Sequence, residues 1–333
     1  MKVFVTGVAG FLGSHVAEHF TRIGATVLGI DNLEGGELAN VPDGVAFKRV
    51  DCLDRSGYQS MIASSDVVYH CAAAAYDGLS VFSPAYVYRN NAQASVEVIT
   101  AAVAGGVGRI VYCSSMARYG RIEAPFHELQ EPKPVNAYGI AKVSAEKFLA
   151  NLATLHDTEY TIAVPHNIIG TRQKYDDPYR NVAAIMINRM LQGKQPIIYG
   201  DGSHRRCFSF VEDVVYCLER LGTQEGISGE TFNVGPDEED VSIFELASLI
   251  ASILEFDLSP IYLPDRPTEV AVATCSADKA RALLGYRTET SLESGLRAMV
   301  EWISLSGPRP FDYAREVEIP GAMTPRSWTE RLI

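Results

Sequence analysis

The sequence is short of positive charge. Its 29 lysines and arginines face 41 aspartates and glutamates, for a formal net charge of -12. A nucleic-acid groove needs a basic surface to displace counterions from phosphate, so no nucleic-acid partner is expected. A small anionic ligand needs only two or three placed arginines and stays open. The six cysteines (Cys52, Cys71, Cys113, Cys207, Cys217 and Cys275) are scattered, with no C-x-x-C pair. Neither a zinc site nor a disulfide framework is suggested, and free thiols in a reducing compartment are expected. No apolar run reaches spanning length, and Met1 leads into a β-type run without a basic segment and apolar signal core. No membrane partner is expected, and the expected location is cytoplasmic. There is no internal repeat and no low-complexity tract.

What is present is ordinary globular composition: 333 residues, 47% hydrophobic and 21% charged. That length accommodates a large α/β domain with a smaller companion. Lys2 to Thr6 is a short β-branched run, followed by Thr6-Gly7-Val8-Ala9-Gly10-Phe11-Leu12-Gly13 and a helical pattern to about Ile23. Thr26 to Ile30 is the next strand and ends at Asp31. In this order each glycine has a use. Gly7 permits a tight turn, Gly10 lets the backbone approach a pyrophosphate, and Gly13 lets the helix pack on the strand. The helix start offers unpaired N–H groups to phosphate. Asp31 can accept both hydroxyls of an adenosine ribose and repels a 2′-phosphate, so NAD is favoured over NADP. Phe11 and Leu12 of the turn, and Asn32 after the acid, are counted with the cofactor-binding group.

The alternation continues. Val45 to Val50 reads as a strand ending at Asp51, and Asp66 to His70 as another, ending in Cys71-Ala72-Ala73. A helix is expected over Asn90 to Ala104 and a further strand over Arg109 to Ser114. Repeated strand–helix units imply a parallel sheet covered on both faces, with ligands at the carboxyl ends of its strands. Small Ala72 and Ala73 would let a cofactor lie close, whereas His70 is expected to be a satisfied core histidine.

After Ser114 comes Ser115, and about twenty residues later Tyr138-Gly139-Ile140-Ala141-Lys142. Ala141 to Ala153 reads as a helix, and residues four apart share one helix face. A phenol is a poor base at neutral pH. A neighbouring ammonium would lower its pKa, and a bound nicotinamide cation would lower it further. Tyr138 could then take a proton from a sugar hydroxyl while hydride leaves the same carbon. Ser115 would hold that oxygen and Lys142 the nicotinamide ribose. Tyr-x-x-x-Lys is common on helices, and it gains weight here from the glycine loop and the serine-rich strand end.

These residues resemble the extended short-chain dehydrogenase/reductase family and, within it, nucleotide-sugar epimerases of the UDP-galactose 4-epimerase type. The resemblance covers roughly residues 1 to 300. It rests on the glycine loop, Asp31, Asp51, His70 to Ala73, Asn90-Asn91, Cys113 to Gly120, Tyr138 to Lys142 and Pro165 to Gly170. Further on it includes Tyr199-Gly200-Asp201-Gly202 with Arg206 and Phe208, Val211 with Asp213, Asn233-Val234-Gly235 and Arg266-Pro267-Thr268-Glu269. It implies a Rossmann-type doubly wound parallel sheet, α/β in class, with a smaller mixed α/β substrate domain. Residues 1–166 with about 211–235 would bind NAD, and 167–210 with 236–306 the nucleotide sugar. By the same resemblance Asp51 and Cys52 sit at the adenine, and Asn91, Ser114, Pro165 and His166 near the cofactor. Asn167, Asn181, Arg206, Arg266 and Glu269 would hold the nucleoside diphosphate, two arginines neutralising a pyrophosphate and Glu269 accepting a ribose hydroxyl.

The family runs several reactions, so the two residues after the catalytic serine matter. Related dehydratases carry an Asp-Glu pair there, related uronate decarboxylases a Glu at the second position, and 3,5-epimerases a Cys. This chain has Met116 and Ala117. The resemblance therefore implies 4-epimerisation, with a decarboxylase or dehydratase as the alternative. Arg205-Arg206-Cys207-Phe208 is similar to the decarboxylase branch. Ala273 matches a gate that is small in enzymes accepting N-acetylated sugars. Arg180 stands where the family has a small residue, and is either a contact for a carboxylate or phosphate or a surface charge. The resemblance also implies a homodimer through the outer faces of Asn90–Ala104 and Ala141–Ala153. Residues 307–333 lie beyond the family pattern and suggest no function, with Trp328 a candidate to pack on the body.

Overall fold

In the computed structural model, which describes residues 1–333, β1 (Lys2–Thr6) is buried over its last four positions. Only a strand covered on both faces reads Val-Phe-Val-Thr without polar alternation. Its neighbours are β2 (Thr26–Asp31), β3 (Ala46–Arg49), β4 (Val67–His70), β5 (Arg109–Cys113), β6 (Glu159–Pro165) and β7 (Thr231–Val234). They form one seven-stranded sheet ordered β7-β6-β5-β4-β1-β2-β3, with every pairing parallel. The chain runs outward from β1 to β3 and then returns to place β4 on β1's other side. That reversal opens a crevice at the strand ends. The register aligns those ends: Thr6 lies opposite Ile30 and His70, His70 opposite Tyr112, and Cys113 opposite Ala163.

Both faces of the sheet are packed. Val3, Val5, Val111 and Phe232 meet α1 (Phe11–Arg22) and the Val211–Thr223 helix. Phe4, Val68, Ile110 and Val164 meet α2 (Ala94–Ala104) and α3 (Ala137–Leu155) on the other side. Two helices start earlier than the sequence suggests. α3 begins at Ala137 because the Asn136 side chain accepts a hydrogen bond from the Gly139 amide at 2.9 Å, a standard N-cap. The helix expected from Asn90 begins as Pro84–Tyr88 and passes through a π-turn, Arg89–Gln93, before α2. The side-chain amides of Asn90 and Asn91 donate to the carbonyls of Tyr86 and Val87, at 2.9 and 2.8 Å. Those carbonyls would otherwise receive the backbone amides four residues on, so the turn widens.

Beyond β6 the helices Val182–Leu191, Ile243–Ile253 and Leu292–Ser306 share a separate apolar cluster that includes Ile187, Ile250 and Met299. The short strand Arg205–Arg206 lies between Val241–Ser242 and Val272–Ala273, pairing Arg206 with Ala273. No helix is long and apolar enough to cross a membrane.

Residues 307–333 return over the mouth of the crevice. Trp328 is buried and edge-on to Phe82 and Tyr179, with ring centroids 5.8 and 5.1 Å apart. Arg309 pairs with Glu37 at 2.5 Å, and Arg315 pairs with Glu34 while stacking on the Tyr86 ring. Glu34 and Glu37 lie on the loop that comes after Asp31, so the tail clamps the loop nearest the expected cofactor.

Candidate active site

A continuous cleft of about 550 Å³ runs from the glycine loop to Arg266. At one end Gly7 has φ +71°, and a Cβ there would stand 2.9 Å from the Ala72 backbone. A Cβ on Gly13 would stand 2.1 Å from the Gly7 carbonyl, which fixes glycine at that position. Gly10 caps α1 without any side-chain acceptor, leaving the first-turn amides free for an anion. Asp31 accepts from the amides of Ala9 and Leu33 at 3.1 and 2.7 Å. Asn32 donates to Asp51 at 2.8 Å. This backbone cradle ending in a carboxylate suits a dinucleotide whose ribose hydroxyls are unphosphorylated.

Phe11, Leu12, Asn32, Asp51, Cys52, Ala72, Ala73, Ser114 and Pro165 all line the same cleft, as the sequence reading expects of a cofactor wall. Two residues assigned to that wall do not reach it. Asn91 is 1% exposed, and its amide donates to the Ala74 carbonyl at 3.0 Å, so it holds the Ala72–Ala75 segment from behind. His166 is fully buried: its backbone amide donates to the Val234 carbonyl of β7 at 2.9 Å, and its ring lies towards the Pro236 carbonyl. His70 is the core histidine anticipated, bonded to Thr6 at 2.7 Å and Ser95 at 2.9 Å.

Ser115, Tyr138 and Lys142 meet at the centre of the cleft. Ser115 caps the short turn Met116–Arg118 by accepting from the Ala117 amide at 3.2 Å. Lys142 is nearly sealed and donates to the Cys113 carbonyl at 2.8 Å, with its ammonium 5.8 Å from the Tyr138 ring. Burial lowers Lys142 to about 8. Burial also pushes Tyr138 up to about 12, with the Ser115 hydroxyl pulling the other way. The expectation that Lys142 lowers the phenol is therefore not met in the chain alone, where desolvation dominates and the opposing groups are Ser115 and Arg180. Beneath the pair, Cys71 and Cys113 lie sulfur to sulfur at 3.8 Å.

At the far end Arg206 donates to Glu269 at 3.1 Å and Arg266 to the other Glu269 oxygen at 2.9 Å. Asn167, Asn181 and Ala273 line this part as well, and Asn181 also caps the helix that begins at Val182. Arg180 is no solvated surface charge: it lines the cleft, pairs with Asp177 at 3.1 Å and stacks on Tyr76 at 4.9 Å.

Three lining or supporting residues escape the sequence reading. Glu146 lies four positions beyond Lys142, on the face that carries Tyr138, and that spacing was the available signal. It binds the Ser114 hydroxyl and forms a buried pair with Arg118 at 3.0 Å. Asp77 comes directly after the Ala72–Tyr76 run at the end of β4 and could have been suspected from its strand-end position. Arg315 comes from the tail, where no pattern marks it.

A doubly wound parallel sheet with a dinucleotide cradle at its switch point is the frame of an NAD-linked enzyme. Residues 3–235 match the NAD dependent epimerase/dehydratase family, and the chain belongs to that family. It is 31% identical to the UDP-glucose 4-epimerase of Mycolicibacterium smegmatis over 91% of this chain and 98% of that protein. It is 27% identical to the UDP-N-acetyl-alpha-D-glucosaminuronate decarboxylase of Bacillus cytotoxicus, over 90% of this chain and 97% of that one. The crystal structure of a UDP-glucose 4-epimerase from Thermotoga maritima, with UDP-glucose, superposes with a TM-score of 0.85. It is 31% identical, over 92% of this chain and 99% of that chain.

Proposed function

We propose that this chain is an NAD-dependent 4-epimerase of a nucleotide sugar, with UDP as the nucleotide. The observation that carries the reading is the centre itself: Ser115, Tyr138 and Lys142 converge, while Met116 and Ala117 beside them carry no acid, base or thiol. The glycine loop, Asp31 and Lys142 would hold NAD, which would supply reversible hydride transfer. The protein's part is proton handling and orientation. Tyr138 takes the proton from the C4 hydroxyl and later returns it, and Ser115 holds that oxygen in line. Tyr138 would need a cation beside it, such as an oxidised nicotinamide, to bring its phenol down from the raised value set by burial. Arg206 and Arg266 exchange part of their bonding to Glu269 for the diphosphate, and the keto-sugar turns between them and Tyr138 before re-reduction.

The relatives at 31% identity with 4-epimerase names support the epimerase reading. The decarboxylase relative supports the alternative of a lyase on the same scaffold. Product analysis by NMR separates them: a C4 epimer of equal mass against loss of carbon dioxide or water. Tyr138→Phe should lower turnover by at least about 10²-fold while leaving bound NAD in place; a fully active variant would sink the mechanism. The proposal includes a homodimer through the outer faces of α2 and α3, with Ile140, Phe148 and Leu155 exposed on α3.

A further inference from the structure

Five carboxylates line the cleft: Asp31, Glu34, Asp51, Asp77 and Glu269. Four have both oxygens engaged. Asp31 accepts two backbone amides, and Asp51 accepts from Asn32 and from the Leu53 amide. Glu34 accepts from Arg315 and Tyr86 on one oxygen and Asn32 on the other, and Glu269 accepts from the two arginines. Asp77 alone has an oxygen with no donor. Its Oδ1 accepts from the Asn136 amide at 2.8 Å, Oδ2 accepts from no donor, and the residue lines the cleft.

The position of Asp77 is bracketed on two sides. Asn136, which holds it, stands two residues before Tyr138 at the start of α3. Gly78, the next residue, lies against Arg266, whose Nη1 would be 3.2 Å from a Cβ built there. Asp77 therefore occupies the gap between the group that handles the C4 proton and the arginine that meets the diphosphate. In a nucleotide sugar that gap is filled by the hexose ring. Arg206 and Arg266 attract the Asp77 carboxylate across the cleft but do not bond to it, since both are held by Glu269, while Arg180 has Asp177 and Arg315 has Glu34.

We propose that Asp77 is a specificity-determining residue of the sugar subsite, its free oxygen accepting a hydrogen bond from a hydroxyl of a neutral hexose and repelling a uronate carboxylate. The inference rests on the nucleotide-sugar reading above and narrows it to uncharged sugars. A hydrogen bond to a charged acceptor in a confined site favours ligands that offer a donor, and like charges in the same site disfavour the wrong ligand strongly. Asp77 is exposed to solvent in the cleft, yet the protein packed around it still pushes its carboxyl up, and the Asn136 amide draws it back.

The test measures binding as well as turnover. Dissociation constants for UDP, UDP-glucose and UDP-glucuronate are compared by calorimetry on the NAD-loaded wild type, Asp77→Asn and Asp77→Val. The wild type should bind UDP-glucose at least about tenfold more tightly than UDP-glucuronate. Asp77→Asn keeps the shape and removes the charge, so that ratio should shrink by about tenfold. Asp77→Val should weaken UDP-glucose but leave UDP unchanged, and unaltered NAD content in both variants reports intact folding. Equal binding of the two sugars by the wild type, or a ratio unmoved in Asp77→Asn, overturns the role of Asp77 alone. If UDP itself does not bind, the nucleotide reading falls and this inference with it. If both bind as expected but the product has lost carbon dioxide or water, the epimerase reading falls while Asp77 keeps its role.

Discussion

His70 and His166 are sealed from water, and burial lowers their imidazoles to about 3 and about 4. The folded chain therefore keeps both rings neutral at pH values where an unfolded histidine, near 6.5, takes up a proton. Stability contributed by the neutral rings is complete above pH 6.5 and is lost progressively as pH falls towards 4 and then 3. Urea unfolding midpoints should fall between pH 7 and pH 4.5. Carboxylates titrate in the same window, so the comparison of wild type with His70→Gln isolates the histidine, the variant showing the shallower decline. Parallel curves would show that His70 takes no part. The residue scale is also where the sequence was most legible. Tyr138 and Lys142 could be paired from their spacing alone, and Asp31 from its strand end. The phenol's raised pKa could not be read, because desolvation depends on what the whole fold packs around it. Asn91 and His166 were misplaced for a related reason: a motif gives position along the chain, whereas the direction of a side chain is set by turns such as the π-turn before α2.

At the scale of elements, α3 carries Tyr138, Lys142 and Glu146 in successive turns along one face. The first two open onto the cleft and the third ties the helix to β5 through Ser114 and to the next turn through Arg118. Arg118 and Glu146 are each under a tenth exposed. Removing one partner of such a pair leaves the other charge buried and unpaired, which costs about 3–5 kcal/mol. Arg118→Met should destabilise the protein by roughly that amount in chemical denaturation. It should also slow turnover, because the turn that it anchors carries Ser115. A loss below about 1 kcal/mol would mean that Glu146 is solvated or neutral. The sheet was legible strand by strand because parallel strands buried on both faces are nearly continuous apolar runs. The second body was not, because its strands are two or three residues long and carry too little period to distinguish from loop.

At the scale of the whole molecule, the outer face of α3 presents Ile140, Phe148 and Leu155 to solvent. Three large apolar side chains along one helix face suit a self-complementary two-fold interface. Light scattering at micromolar concentration should return twice the 36.3 kDa chain mass, and Phe148→Glu should return the chain mass itself. A monomeric wild type would remove the dimer from the proposal. The tail beyond Gly307 was illegible in the sequence because its contacts are single side chains reaching distant loops, with no periodicity to reveal them.

Those contacts have a consequence for the nascent chain. Glu37 waits 272 residues for Arg309, and Glu34 waits 281 for Arg315. At ribosomal speeds of about 5–20 residues per second, that is a delay of roughly 15–55 s. The first strand–helix–strand unit emerges early, yet its rim loop lacks these two ion pairs until Arg309 and Arg315 have been made. The loop beside the expected cofactor thus gains its last ion pairs only after every strand of the sheet has been made.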